Sequence, residues 1–248
     1  IVATGHAENP QLAYGADIIT RIALATEDKE NLLKLQKITL ETIDKILAQV
    51  CAEANVDQHN VYETVVVGNT AMHHICLGIQ PKYTALSPYV PAVKKSLDIS
   101  NRELNLNTIP ESVITFLPNV AGFVGSDALA DVLATGFHHL ETPSLLIDIG
   151  TNTEIFVSNG QSILACSCAS GPAFEGARIK HGMKAEVGAI ERVLIKPDFE
   201  VEFKTIGNTK PTGLCGSAMI DVVAEMFKRG LIDSRGRFKQ RLKTRRLR

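Results

Sequence analysis

The chain has 248 residues and a formal net charge of −1, with 45% hydrophobic and 21% charged residues, a balance that argues against disorder and allows one large domain or two small ones. Its 18 glycines follow no three-residue period, against a collagen-like fold, and no apolar run reaches the roughly 18–20 residues that cross a bilayer, so no membrane partner is expected. Eight of the 26 basic residues fall within 235–248, where there is no acid, leaving 18 against 27 acidic residues elsewhere. A nucleic-acid partner is therefore not expected, and the basic tail reads as a solvated end outside the fold.

In chain order, apolar residues at three- and four-residue steps (Leu32, Leu35, Ile43, Ile46, Leu47, Val50) predict a helix over Lys29–Ala54, with Thr26 or Asp28 as its N-cap. The β-branched run Val61–Val67 predicts a strand that stops at Gly68-Asn69 and leads into a short helix through Met72–Ile75. The proline-rich stretch Pro81–Pro118 reads as an irregular excursion with one brief strand, Val113–Leu117. A helix over Ser126–Thr135, ended by Gly136, and a turn-rich boundary near 138–143 follow.

Leu145-Leu146-Ile147-Asp148-Ile149-Gly150, an apolar run ending in Asp and Gly, predicts a strand buried on both faces, with its polar residues at the carboxyl end. Ser158-Asn159-Gly160 predicts a hairpin turn between strands at Thr153–Val157 and Ser162–Cys166. A helix starting near Pro172, further strand over Val193–Phe203 broken at Pro197, and a last helix over Ser217–Arg229 complete the pattern. Strands alternate with helices, so the class is α/β.

The absence of a basic, then apolar, start at Ile1–Gly5 and an odd count of scattered cysteines (Cys51, Cys76, Cys166, Cys168, Cys215) lead us to expect no leader and a cytoplasmic setting. Cys166-x-Cys168 lacks the spacing of a zinc or plant-type iron–sulfur site, and small buried thiols are the expectation. The adjacent pairs His73-His74 and His138-His139 would point about 100° apart on a helix, a poor arrangement for one shared metal.

The sharpest motif is Asp148-Ile149-Gly150-Thr151-Asn152-Thr153-Glu154, placed between two predicted strands. Gly150 would let a phosphate approach the backbone, turn amides can form an anion nest, the three following residues offer side-chain donors, and Asp148 could hold Mg²⁺ through water. A plain β-turn accounts for the same residues. The clusters Ala169–Gly176 and Thr212–Ser217 carry the same two readings, phosphate contact or tight connection. In Gly122–Asp127, Asp127 can be a first-turn acid. There is no G-x₄-G-K-[ST] or G-x-G-x-x-G motif.

The Asp148–Glu154 motif resembles the second phosphate motif of the superfamily of acetate and sugar kinases, heat-shock chaperone ATPases and actin. Four segments together resemble the reductive activators of corrinoid proteins and their ferredoxin-like relatives. They are Asn9-Pro10-Gln11 with Tyr14-Gly15-Ala16-Asp17, Val67–His74, Leu117–Gly125 and Gly171–Arg178, and the likeness runs from about Asn9 to Asp233.

The resemblance implies ATP-dependent reductive activation, in which a [2Fe–2S] domain passes an electron to a Co(II) corrinoid protein. It implies two ribonuclease-H-like lobes with ATP and Mg²⁺ between them, both incomplete here. The expected division is 1–140, lacking a first phosphate hairpin that would precede Ile1, then 141–234, then the basic tail 235–248. Asp148 (also the Mg²⁺ residue) and Asp127 would be catalytic. Gly150, Thr151, Asn152, Thr153, Gly171, Pro172, Glu175, Gly176, Gly213, Gly216 and Ser217 would bind nucleotide. The [2Fe–2S] domain is expected outside this chain, which alone would be inactive, and homodimerisation is left open. The alternatives are a small-molecule kinase of the same superfamily and a non-catalytic nucleotide-binding module.

Overall fold

The computed structural model describes residues 1–15, 17–176 and 179–239, with the side chain of Glu175 also outside the described set. Ala16, Ala177 and Arg178 of the quoted motifs, and 240–248 of the basic tail, therefore lie outside the described residues. The α/β class holds: helices and short strands alternate along the chain. The chain forms two compact units, residues 1–146 with 155–167, and 147–154 with 168 onward.

In the first unit, α1 (Ile18–Glu27) starts at Asp17, whose carboxylate accepts the Thr20 amide at 2.8 Å. Sequence reasoning gave no helix there, because its alanines blunt the apolar period around the buried Ile22 and Ala25. Helix α2 (Lys29–Ala54) has the expected bounds, with Asp28 as its N-cap and left-handed Asn55 closing it. Leu32 and Leu35 of α2 pack with Ala25 and Ile75, each such leucine contributing about 1.5–3 kcal/mol.

Strand β1 (Glu63–Val66) is shorter than its apolar run, and α3 (Thr70–Cys76) follows, with the Asn69 side chain accepting the Met72 amide at 2.9 Å. The proline-rich excursion holds more structure than expected: β2 (Leu97–Ser100), α4 (Asn101–Leu104) and β3 (Val113–Phe116). β3 lies between β1, which it pairs in parallel, and β2, which it pairs antiparallel. Buried Asn101 supports the intervening loop, accepting the Leu106 amide at 2.7 Å and donating to the Leu106 carbonyl at 2.8 Å. Ile114 and Phe116 form a core with Cys76, Leu104 and Leu106, against which Ile43 and Leu47 of α2 pack. A second core joins Val124, α5 (Ser126–Ala134), Phe137 and Phe156.

Strands β4 (Ser144–Ile149), β5 (Asn152–Ser158) and β6 (Ile163–Ala169) neighbour one another in that order, and each contributes residues to both units. The Asn159 side chain closes the expected β5–β6 turn by accepting the Gln161 and Ser162 amides. The expected burial of β4 on both faces is not observed. Leu146 packs on the second core, whereas Leu145, Ile147 and Ile149 are 60%, 46% and 47% exposed. Strand β4 is an edge strand with one core-facing side, and an apolar run alone does not distinguish that from a central strand.

In the second unit, β7 (Ala189–Ile195) pairs antiparallel with β8 (Val201–Thr205) and parallel with β9 (Gly213–Leu214). The break expected at Pro197 is the β7–β8 turn, closed by the Lys196 amide on the Glu200 carbonyl at 2.8 Å. Helix α6 (Gly216–Lys228) is fastened to β7 by its carboxylates: Asp221 accepts the Val193 amide and Glu225 the Ile195 amide. The helix expected at Pro172 is a single 3₁₀ turn, Pro172–Glu175, because left-handed Gly176 ends it. Arg235–Lys239 do not behave as a tail. The Lys239 amide donates to the Leu231 carbonyl and the Asp233 amide to Arg237, closing a turn. Among the described residues, no helix is long and apolar enough to cross a membrane.

Candidate functional site

The second unit draws three of the singled-out clusters into one arrangement. The Thr151 carbonyl, at the tip of the β4–β5 turn, accepts hydrogen bonds from the Ser170 and Gly171 amides at 3.1 and 2.8 Å. The Thr153 and Ser170 hydroxyls are 2.6 Å apart, and the Cys168 thiol reaches the Thr153 carbonyl at 3.5 Å. The loop after β6 is thus bolted to the Asp148–Glu154 turn. That loop runs on through Pro172–Glu175, and a Cβ on Gly216 would collide with the Phe174 carbonyl, so the start of α6 lies against it. A Cβ on Gly176 would likewise meet the Met183 backbone, and the Met183 amide donates to the Leu214 carbonyl at 2.9 Å.

These bonds sort the expected nucleotide residues. Asp148 and Thr151 are exposed, and Asn152 is half-buried beside them. A Cβ on Gly171 would meet nothing within 4 Å, so the space beside that glycine is open; its φ of +79° also favours glycine. The remaining expected residues serve the scaffold. The Gly150 amide donates to the Asn152 carbonyl at 3.0 Å, so it is turned into the turn and does not join an anion nest. Thr153 is buried and paired with Ser170. Gly176, Gly213 and Gly216 make close backbone approaches, and Ser217 donates to the Glu191 carbonyl at 2.7 Å. Pro172 opens the 3₁₀ turn. Sequence reasoning missed His181-Gly182-Met183, whose backbone threads between Gly176 and Leu214; the glycine beside a methionine was its only signal.

Asp127 belongs to the other unit, in the first turn of α5, where its carboxylate accepts the Ala128 amide at 2.9 Å. Gly125 is held there by close approach to the Gly68 carbonyl, and Ser126 exchanges hydrogen bonds with Gly68. The histidine pair on α3 divides into two different environments. His74 places Nδ1 on the Thr70 carbonyl at 2.6 Å and accepts the Ala92 amide on Nε2 at 3.0 Å, and burial holds it neutral. His73 is buried, and neither of its ring nitrogens has a hydrogen-bond partner among the described residues. Cys166 and Cys168, expected as buried thiols, are exposed, because β6 is an edge strand. Cys51, Cys76 and Cys215 are buried, and burial pushes the Cys76 thiol up to about 12.

With this geometry in place, comparison with known proteins gives a consistent result. Residues 1–140 match the family model described as the RACo middle region. The chain belongs to the RACo family. Residues 142–248 match the C-terminal domain of RACo, the ASKHA domain. The corrinoid activation enzyme RamQ of Eubacterium limosum is 39% identical over 230 residues, covering 93% of this chain and 38% of that protein. The [Co(II) methylated amine-specific corrinoid protein] reductase of Methanosarcina barkeri is 26% identical over 251 residues, covering 88% and 45%. A solved structure of a reductive activator for corrinoid, iron-sulfur protein superposes with a TM-score of 0.81 at 40% identity, covering 93% of this chain and 37% of that one. The chain therefore spans less than half the length of these relatives.

Proposed function

We propose that the protein containing this chain carries out ATP-dependent reductive activation of a corrinoid protein, taking Co(II) to Co(I). Membership of the RACo family carries this reading, and the 39% identity to a corrinoid activation enzyme supports it. In this reading, residues 1–140 belong to a first ribonuclease-H-like lobe and residues from 141 onward to a second. The Asp148–Thr151 turn with Gly171 forms the nucleotide-facing part of the second.

The donor set fits the nucleotide and its metal. Asp148 supplies one exposed carboxylate, the hard oxygen donor that Mg²⁺ accepts, normally through retained water. Thr151 and Asn152 offer hydroxyl and amide groups on the same turn, and the open space at Gly171 leaves room for a ligand. When bound, the metal would neutralise phosphate charge. The chain's own residues would position the phosphates, with Thr153, Ser170 and Gly216 keeping the turn and loop in place. The cysteines do not fit a [2Fe–2S] cluster: three are buried and two are exposed. No group of three or more metal-ligating side chains occurs among the described residues. In this reading the electron comes from a [2Fe–2S] domain outside this chain.

The test is spectroscopic. The whole protein, its corrinoid partner and a reductant should convert Co(II) to Co(I) absorbance with MgATP but not with a non-hydrolysable analogue. Reduction at the same rate without ATP would contradict the reading. So would phosphorylation of a small acid or sugar in place of reduction.

A further inference from the structure

Residues 86–92 form a strap over the first unit, exposed from Leu86 to Val90. The strap lies against the segment that leads to α5: a Cβ on Gly122 would collide with the Tyr89 carbonyl, and the Tyr89 and Phe123 ring centroids are 5.3 Å apart. Among the described residues, one hydrogen bond ties the strap to the rest of the fold, from the Ala92 amide to His74 Nε2 at 3.0 Å. His74 is fully buried on α3, with Nδ1 2.6 Å from the Thr70 carbonyl.

These two bonds fix the protonation state of the ring. A backbone amide can only donate, so Nε2 is the bare nitrogen, and Nδ1 carries the proton that the Thr70 carbonyl accepts. A second proton would sit on Nε2 and point at the Ala92 N–H. The bond would become a contact between two donors, with no acceptor for either. We propose that His74 is an acid-sensitive clip: neutral, it fastens residues 86–92 to α3, and protonated at Nε2 it releases them.

The surroundings keep the clip closed at neutral pH. On its own helix the ring faces His73, 5.6 Å away between centroids, whose charge would repel a second one. From α1 the charged group that reaches α3 is Arg21, at Met72, and from α2 neutral Gln36 donates to the Cys76 carbonyl. The segment before α5 presents the Ala121 carbonyl, to the Thr70 hydroxyl, and Lys82, just before the strap, lies over the Tyr83 ring. No carboxylate among the described residues pairs with His74. Burial disfavours the charged ring and holds its pKa below the ordinary 6.5, so the clip opens only as pH falls below that value. Ile75 packs with Leu32 and Leu35, a contact the second proton does not touch, so α3 itself stays docked when the strap is released. The clip is independent of the nucleotide reading, since every residue in it belongs to the first unit.

The experiment follows amide hydrogen exchange of the whole protein from pH 7.5 to 5.0, corrected for the intrinsic pH dependence of exchange. Protection at Ala92 should fall at least about 10-fold over that range, while the Ile114 and Phe116 amides of β3 keep theirs. With ¹⁵N-labelled histidine, His74 should show a bare Nε2 and a protonated Nδ1 at pH 7.5. His74→Gln offers Ala92 an oxygen acceptor that does not titrate, and should hold protection level with pH. His74→Ala should lose it at every pH. An Ala92 amide whose protection is independent of pH in the natural sequence would overturn the proposal. So would an Nε2 protonated at pH 7.5, the same fall in His74→Gln, or equal losses at Ala92 and β3. The exchange and NMR measurements on the natural sequence decide the matter even where a variant fails to fold.

Discussion

The hydroxyls of Thr153 and Ser170 lie 2.6 Å apart, joining the first residues of β5 to the loop after β6. Thr153 is buried, so this pairing belongs to the scaffold. Thr153→Val keeps the shape and removes the bond, and should destabilise the protein by about 1 kcal/mol. Exposed Thr151→Ala should cost no more than about 0.5 kcal/mol while weakening ADP binding. Urea unfolding with ADP titration checks both. Equal stability losses would show that the two threonines share one role.

The two glycines of the loop and helix start should behave differently. Gly216→Ala places a methyl against the Phe174 carbonyl and should cost about 1–3 kcal/mol of stability. Gly171→Ala places one in open space, so only its backbone, with φ +79° and ψ 170°, is penalised, by about 1–3 kcal/mol. The methyl at 171 should nevertheless weaken nucleotide binding more per unit of lost stability. Thermal melts with and without MgADP separate the effects, and an unchanged MgADP-induced rise in Tm for Gly171→Ala would remove that glycine from the site.

Acid should weaken the first unit through its buried histidines. Burial lowers the His73 pKa to about 4, with His74 adding repulsion, and burial lowers His74 as well. A lowered histidine pKa means the unfolded chain binds protons first. Stability is therefore full above the ordinary value of 6.5 and is lost as pH falls toward about 4. The loss attributable to His73 should be about 1–3 kcal/mol. Denaturant midpoints measured from pH 7.5 to 4.5 should fall more gently in His73→Phe. Parallel curves for the two proteins would contradict the assignment.

Much of this was legible in the sequence, for identifiable reasons. The long α2 carries its period on Leu32, Leu35 and Ile43 and its cap on Asp28, so both its face and its start could be read. The Asp148–Glu154 turn could be read because an apolar run stops at charged and glycine residues. Helix α1 and strand β2 were hidden by alanine and by the surrounding prolines, where local pattern is weak and tertiary packing decides. The roles of the site glycines were not legible. Gly171 and Gly216 look alike in sequence, yet one borders open space and the other a carbonyl, a difference set by residues far along the chain.

The most direct measurement replaces Asp148 by Asn in the whole protein and follows ATP hydrolysis together with thermal stability. Asp148 is exposed at the end of β4, so the change should move stability by less than about 1 kcal/mol. ATP turnover and ATP-dependent reduction of Co(II) should both fall at least about 10²-fold, because the carboxylate that serves the nucleotide's metal is gone. A folded Asp148→Asn protein that hydrolyses ATP and reduces Co(II) at near-normal rates would contradict the account.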